Sequence, residues 1–229
     1  MQVLNDRRAA GRLLAARLMR YADRKDIIVL GLPRGGVVAA FEVAKALNVP
    51  LDILLVRKLG TPGQEELAFG AIASGGVRVL NNDVVRAFAL SDHQINAVVA
   101  REQAELERRE RVYRGATTPL DVAGKTIIVV DDGLATGASM RSALQSLRSR
   151  GPARLVLAVP VASASTLTAM AEEADEAVCV ITPEPFNAIG QWYLDFSQTS
   201  DDEVGELLRE AASFGQADTG PTKERGSVR

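Results

Sequence analysis

The chain has little of what builds covalent or metal-linked frameworks. Its 229 residues include one cysteine, one histidine and one tryptophan, and aromatic residues make up only 4%. A single cysteine excludes an intrachain disulfide and fits a reducing compartment. Cys179 sits in the apolar run Ala177-Val178-Cys179-Val180-Ile181, where a thiol reads as an inert core group rather than a nucleophile. His93 has no ligand cluster around it, so it reads as a surface or capping residue. An excess of one charge is also missing: 27 basic and 29 acidic residues leave a net charge of −2, which does not suggest nucleic acid as the main partner. No apolar run is long enough to span a bilayer, and Met1 to Arg8 lacks the apolar core of a signal peptide. The location expected is cytoplasmic.

What is present is ordinary for a globular protein, with 47% hydrophobic and 24% charged residues, and the length suits one domain with additions. Asp6 to Arg24 has apolar residues at helical spacing among arginines, so an amphipathic helix within 1–25 is expected to pack on the following domain with a solvated arginine face. Buried strands are expected at Asp26–Leu32, Val49–Val56, Thr126–Val130, Arg154–Val161 and Ala177–Ile181, alternating with helices at Val37–Leu47, Met140–Arg150 and Ser163–Glu173. This alternation predicts an α/β fold with a mainly parallel sheet and helices on both faces, spanning 26–181. Leu67–Ala73 and Val77–Leu80 read as a hairpin, and Arg57–Glu66, rich in Gly, Pro and charge, as a mobile lid. Ser91 and Gln94 are spaced to cap a long charged helix over about 91–114. Residues 182–214 should form a small hood with a final helix, and 215–229 a disordered tail. The aromatics Trp192, Tyr193 and Phe196 admit two readings, a local core or a platform for a ring-shaped acceptor.

The most informative stretch is Thr126 to Met140. Four consecutive β-branched residues, Ile127 to Val130, lead to Asp131-Asp132, then to the small-residue loop Gly133-Leu134-Ala135-Thr136-Gly137-Ala138-Ser139 and a helix start. Backbone N–H groups at a helix N-terminus, joined by the hydroxyls of Thr136 and Ser139, form a ready anion site. Two carboxylates beside it would repel a bare phosphate, so they should serve sugar hydroxyls or a bound metal. Arg34-Gly35-Gly36 and Arg57-Lys58 follow two other expected strands, at the sheet edge where open α/β folds bind ligands. Gly-x-x-x-x-Gly-Lys-Ser/Thr and Gly-x-Gly-x-x-Gly runs are both missing, which excludes a P-loop triphosphatase and a Rossmann dinucleotide site.

The combination of hydrophobic strand, acidic pair, Thr-Gly loop and helix resembles the donor-binding signature of the type I phosphoribosyltransferases. The resemblance covers roughly Asp26 to Ile181. It implies 5-phosphoribosyl 1-diphosphate as donor, Mg²⁺ as cofactor and a small nitrogenous acceptor, with no nucleic acid or membrane as partner and a homo-oligomer compatible with the chain. Carried onto this sequence, residues Gly133, Leu134, Ala135, Thr136, Gly137, Ala138 and Ser139 would hold the 5-phosphate. Asp131 and Asp132 would be the catalytic acids, binding ribose hydroxyls or waters of the metal, and Arg34, Gly35, Gly36, Arg57 and Lys58 would hold the diphosphate. Asp-Asp-Gly-Leu-Ala-Thr-Gly is nearest the adenine-type signature. Two positions depart from the family. Hypoxanthine/guanine-type members carry an Asp where this chain has Ala135, and adenine-type members carry a Glu where Leu67-Ala68-Phe69-Gly70 has Ala68. The acceptor is therefore open, with Glu65 or Glu66 the nearest substitutes for the missing group. A non-catalytic sensor of the donor or of a nucleotide is the competing reading.

Overall fold

The computed structural model describes residues 3–115 and 118–215. Along the chain, α1 (Arg7–Leu18) precedes β1 (Ile27–Gly31), α2 (Gly35–Leu47) and β2 (Leu51–Ile53). β3 (Val56–Thr61), β4 (Gln64–Ala73) and β5 (Val77–Leu80) follow, then α3 (Asn82–Ala87) and α4 (Asp92–Arg114). The second half alternates β6 (Thr126–Val130), α5 (Ala138–Arg148), β7 (Arg154–Val161), α6 (Ala164–Ala171) and β8 (Glu176–Ile181), and α7 (Asp201–Glu210) comes last.

Five strands pair in the order β2-β1-β6-β7-β8, every pair parallel. All five residues of β1 and all five of β6 are buried, because side chains alternate between two covered faces. Ile28, Leu30, Ile127 and Val129 pack on Met140, Leu144 and Leu147 of α5 and Met170 of α6. Their neighbours Ile27, Val29, Ile128 and Val130 face the other way, onto Leu14 and Leu18 of α1 and Val43 and Leu47 of α2. The mainly parallel α/β sheet with helices on both faces is thus the observed architecture.

A second sheet departs from the expectation. The single strand expected over 49–56 is divided: β2 ends at Ile53, and β3 enters a separate antiparallel sheet of order β3-β4-β5. Arg57–Glu66 is accordingly a paired hairpin rather than an irregular loop. Thr61 pairs with Gln64 across a Pro62-Gly63 turn, and Gly63 has a φ of 81°. The composition that suggested a mobile loop is also what a tight turn requires, with Gly supplying positive φ. Phe69 and Ile72 of this sheet join Ile95 and Leu106 of α4, Val204 of α7 and Phe41 of α2 in a third apolar cluster.

The capping box of α4 forms, with Ser91 Oγ accepting from Gln94 N and Gln94 Oε1 accepting from Ser91 N. His93 lies exposed in the first turn of this helix. Burial pushes the Cys179 thiol up to about 11, which keeps it protonated and unreactive. The start of the described chain meets a segment late in the sequence: Leu4 N donates to Trp192 O and Leu194 N to Leu4 O, both at 2.8 Å. Among the described residues no helix is long and apolar enough to cross a membrane. Residues 216–229 of the expected tail lie outside the described residues.

Candidate active site

The β6–α5 loop is clamped from below and open above. Leu134 is buried, donates its N–H to Val161 O at 2.9 Å and bridges to Ala162, which fixes the loop to the end of β7. Thr166 Oγ1 donates to Ala135 O at 2.8 Å from α6. Gly137 turns the chain into α5 at a φ of 73°, a left-handed conformation in which a side chain would also press on Met170. Above these anchors Ala135, Thr136, Ala138 and Ser139 are exposed. They line a concavity of about 150 Å³ formed by Asp131, residues 133–140 and Ile189. Gly137, the residue before α5, offers no capping side chain, the Ala138 N–H donates to Thr136 Oγ1 at 3.5 Å, and the first-turn residues Ala138, Ser139 and Met140 border the hollow. That arrangement can receive an anion.

The acidic pair stands just beyond β6. Asp131 lines the concavity. Burial, and after it the charge of Asp132, pushes the Asp131 carboxyl well above the usual range. Asp132 is also raised by burial, against the opposing hydrogen bond and charge of Arg7. Arg7 Nε donates to Asp132 Oδ2 at 2.7 Å, and Tyr193 Oη donates to Asp132 O at 2.6 Å. Neither partner was expected from sequence. Arg7 lies 125 positions away on a helix whose arginines read as solvated, and no local pattern marks it.

Gly35 and Gly36 open α2 and press directly against this pair. A Cβ on Gly35 would lie 2.0 Å from Asp132 Oδ2, and one on Gly36 2.8 Å from Asp131 Cα. The Pro33–Arg34 peptide that leads into them is cis. The two glycine-bearing turns, remote in sequence, are thereby joined at the C-terminal ends of adjacent strands β1 and β6.

The expected cations are distributed differently. Arg34 extends toward Asp201 at the start of α7, 3.8 Å away, and remains well exposed. Arg57 and Lys58 lie side by side in β3 rather than in a loop, so they point to opposite faces. Arg57 Nε donates to Glu102 Oε2 of α4 at 2.8 Å, where Glu102 is buried. Burial works against that carboxylate, but hydrogen bonds from Arg57 and Arg101 hold it below its usual range. Lys58 faces the other way, into a cavity of about 460 Å³ between the antiparallel sheet and α5 that also includes Ala68, Ala138 and Arg141. Only Lys58 of the two is placed next to the start of α5. Glu65 and Glu66 are exposed on the hairpin, Glu66 lying 3.9 Å from Lys58. Trp192 and Tyr193 are buried with Leu4, Ala10 and Val161, Phe196 packs against them, and Ile189 reaches the concavity from the same segment.

Among the described residues no group of three or more His, Cys, Asp or Glu could cage a metal. A cation that keeps its waters and takes few protein oxygens fits the acidic pair better than one needing a full protein shell.

Comparison with known proteins places the chain in a family. The profile of the family described as "Phosphoribosyl transferase domain" matches residues 2–196. The Mycobacterium tuberculosis protein Rv0571c, whose name assigns it provisionally to the phosphoribosyl transferases, is 49% identical over 211 residues, covering 92% of this chain and 47% of that protein. The chain thus spans about half the length of the curated relatives it matches. The bifunctional protein PyrR of Chloroflexus aurantiacus is 32% identical over 111 residues, 47% of this chain and 55% of its own. The crystal structure of TT1426 from Thermus thermophilus superposes with a TM-score of 0.83 at 42% identity, covering 93% of this chain and all of that one.

Proposed function

This chain belongs to the phosphoribosyl transferase domain family, of type I, and from that premise we propose that it transfers ribose 5-phosphate from 5-phosphoribosyl 1-diphosphate to a nitrogenous acceptor. The observation that carries the reading is the junction at the strand ends. An open helix N-terminus for a phosphate, an acidic pair for the sugar and the Gly35-Gly36 turn meet in one place.

The 5-phosphate would sit in the concavity and accept from the N–H groups at the start of α5 and the hydroxyls of Thr136 and Ser139. The acidic pair would hold the ribose hydroxyls. As the C1–O bond breaks, its electron pair leaves with the diphosphate and positive charge builds on the ribose ring. Carboxylates in a poorly solvated wall stabilise that charge more than they would in water. The acceptor nitrogen then forms the C1–N bond. Its proton has no side chain waiting at either familiar position, because Ala135 and Ala68 stand there. It would leave to solvent, or the acceptor would enter already deprotonated. Lys58, Arg34 and the Gly35-Gly36 backbone remain for the departing diphosphate, whereas Arg57 is committed to Glu102. Asp131 and Asp132 would hold Mg²⁺, which would supply charge neutralisation of the leaving group.

Incubation with the donor, Mg²⁺ and a broad panel of nitrogenous bases should release diphosphate with at least one of them. Silence across the panel, together with donor binding by calorimetry, would instead favour the second reading, a sensor that binds the donor without turning it over. Ala68 and Ala135 are what keep that reading in play. Absence of donor binding would remove both.

A further inference from the structure

Resting on the transferase reading, we propose that Arg141 of α5 is a binding residue for the donor's diphosphate. Together with Lys58 it makes the cavity between the antiparallel sheet and α5 a subsite for that end of the donor, in the place expected of Arg57.

The two faces of the antiparallel sheet decide which cation is available. Lys58 pairs with Ala71, and Ala71 with Val79, so the three stand in one row across the strands. All three line the cavity of about 460 Å³. Arg57 pairs with Ile72 in the next row, and Ile72 belongs to the apolar cluster shared with α4. Neighbouring rows point to opposite faces. Arg57 is therefore lost to the cavity, and its Nε is already on Glu102. Arg141 supplies a second cation from the facing wall. It is the fourth residue of α5, and its N–H donates to Gly137 O at 2.8 Å, which sets it one helical turn beyond the small-residue loop.

Charge separates this cavity from the hollow beside it. Among the described residues that line it are two cations, Lys58 and Arg141, and no carboxylate. The hollow at the β6–α5 loop has Asp131 and no cation. Ala138 lines both, so the two adjoin at the start of α5. Neither cation is tied down. Arg141 lies 3.4 Å from Glu173 and Lys58 3.9 Å from Glu66, and neither carboxylate lines the cavity. The cations are 46% and 48% exposed, and ion pairs so open to water contribute little and can be exchanged for a better anion. Two cations facing one cavity without an internal partner repel each other, and a ligand with several negative charges relieves that. A guanidinium adds a planar fork that takes two phosphate oxygens at once. The donor has one end that answers to this. Its diphosphate carries more charge than its 5-phosphate, and that charge grows as the C1–O electron pair leaves with it.

The test is calorimetry with inorganic diphosphate and, separately, with ribose 5-phosphate, both with Mg²⁺, beside the KM for the donor. The variants are Arg141→Ala, Arg141→Lys, Lys58→Ala and the double variant Lys58→Ala/Arg141→Ala. Arg141→Ala should weaken diphosphate binding about tenfold and raise the donor KM by a similar factor, the loss of one charge-assisted contact. Its affinity for ribose 5-phosphate should stay within about twofold, because the 5-phosphate hollow is untouched. Arg141→Lys should keep the charge and lose the fork, so its diphosphate affinity should fall between those of the wild type and Arg141→Ala. The double variant should lose about a hundredfold, as two groups on different oxygens demand. Unchanged diphosphate affinity in Arg141→Ala would overturn the assignment. Equal losses for diphosphate and ribose 5-phosphate would overturn it too, since Arg141 would then act on α5 or on the neighbouring hollow. So would a double variant that binds diphosphate no more weakly than Lys58→Ala, or a wild-type chain that binds none. The two readings fail separately. Diphosphate binding that depends on Arg141, without turnover of any acceptor, would remove the transferase reading and keep the subsite. Turnover with a donor KM indifferent to Arg141 would keep the reaction and remove the subsite.

Discussion

Gly35-Gly36 and Gly75-Gly76 are both glycine pairs beside strand ends, and their surroundings are opposite. A Cβ on either member of the first pair would enter the acidic pair or its backbone, within 2.0 Å at Gly35 and 2.8 Å at Gly36. Around Gly76 there is nothing within 4 Å, and Gly75 has only the Arg150 guanidinium at 3.8 Å. The second pair has φ values of 86° and 76°, conformations that L side chains rarely adopt. One pair is glycine because of space, the other because of backbone conformation. The first belongs to a region where each atom is placed by another element. The second belongs to a hairpin whose only demand is to turn. The same contrast runs through the charges: Asp132 is held by Arg7 and Tyr193, whereas Glu66 on the hairpin lies fully exposed.

Substitutions graded by size can break this comparison. Asp131→Asn combined with Asp132→Asn should reduce turnover at least about a hundredfold, the scale of losing transition-state charge stabilisation, while circular dichroism shows an intact fold. Unchanged turnover would mean the strand-end junction is not the reacting site. Gly36→Ala should cost about 2–3 kcal/mol in chemical denaturation, because two of the three nearest neighbours of its Cβ, Asp131 Cα and Val130 O, are backbone atoms that cannot swing away. Arg57→Ala should cost about 1–2 kcal/mol, less than breaking a fully buried pair because the arginine is partly exposed and buried Glu102 keeps Arg101. Its neighbour Lys58→Ala should leave stability unchanged and raise the KM for the donor about tenfold, a value within the range for one charge-assisted contact. Equal stability losses for the two would contradict their placement on opposite faces of β3. Gly76→Ala should cost only about 1 kcal/mol, through φ alone, with kinetic constants unaltered. A loss as large as that of Gly36→Ala would erase the distinction between the two glycine pairs.

Much of the fold was legible because its signals are local. β-branched runs such as Ile127 to Val130 mark strands buried on both faces, and Ser91 with Gln94 marks a helix start, through contacts spanning few residues. The Arg57–Glu66 hairpin was read as an irregular loop for a related reason. Gly, Pro and charge specify a turn locally, but whether the flanks pair depends on Leu59 and Phe69 finding α4, which composition does not record. Of the candidate site, the small-residue loop and both acids were legible from one continuous stretch. Arg7, Tyr193 and Ile189 were not, since each reaches the site from a segment far along the chain.

The sequence by itself determined the parallel α/β layering, the anion-ready loop at residues 133–139 and the acidic pair before it, because periodicity and backbone conformation are set by neighbouring residues. Only the tertiary structure decided which acid pairs with Arg7, and which of Arg57 and Lys58 faces the cavity beside α5. Those outcomes depend on where a strand's alternating faces point and on which distant side chain fills the space beside Gly35.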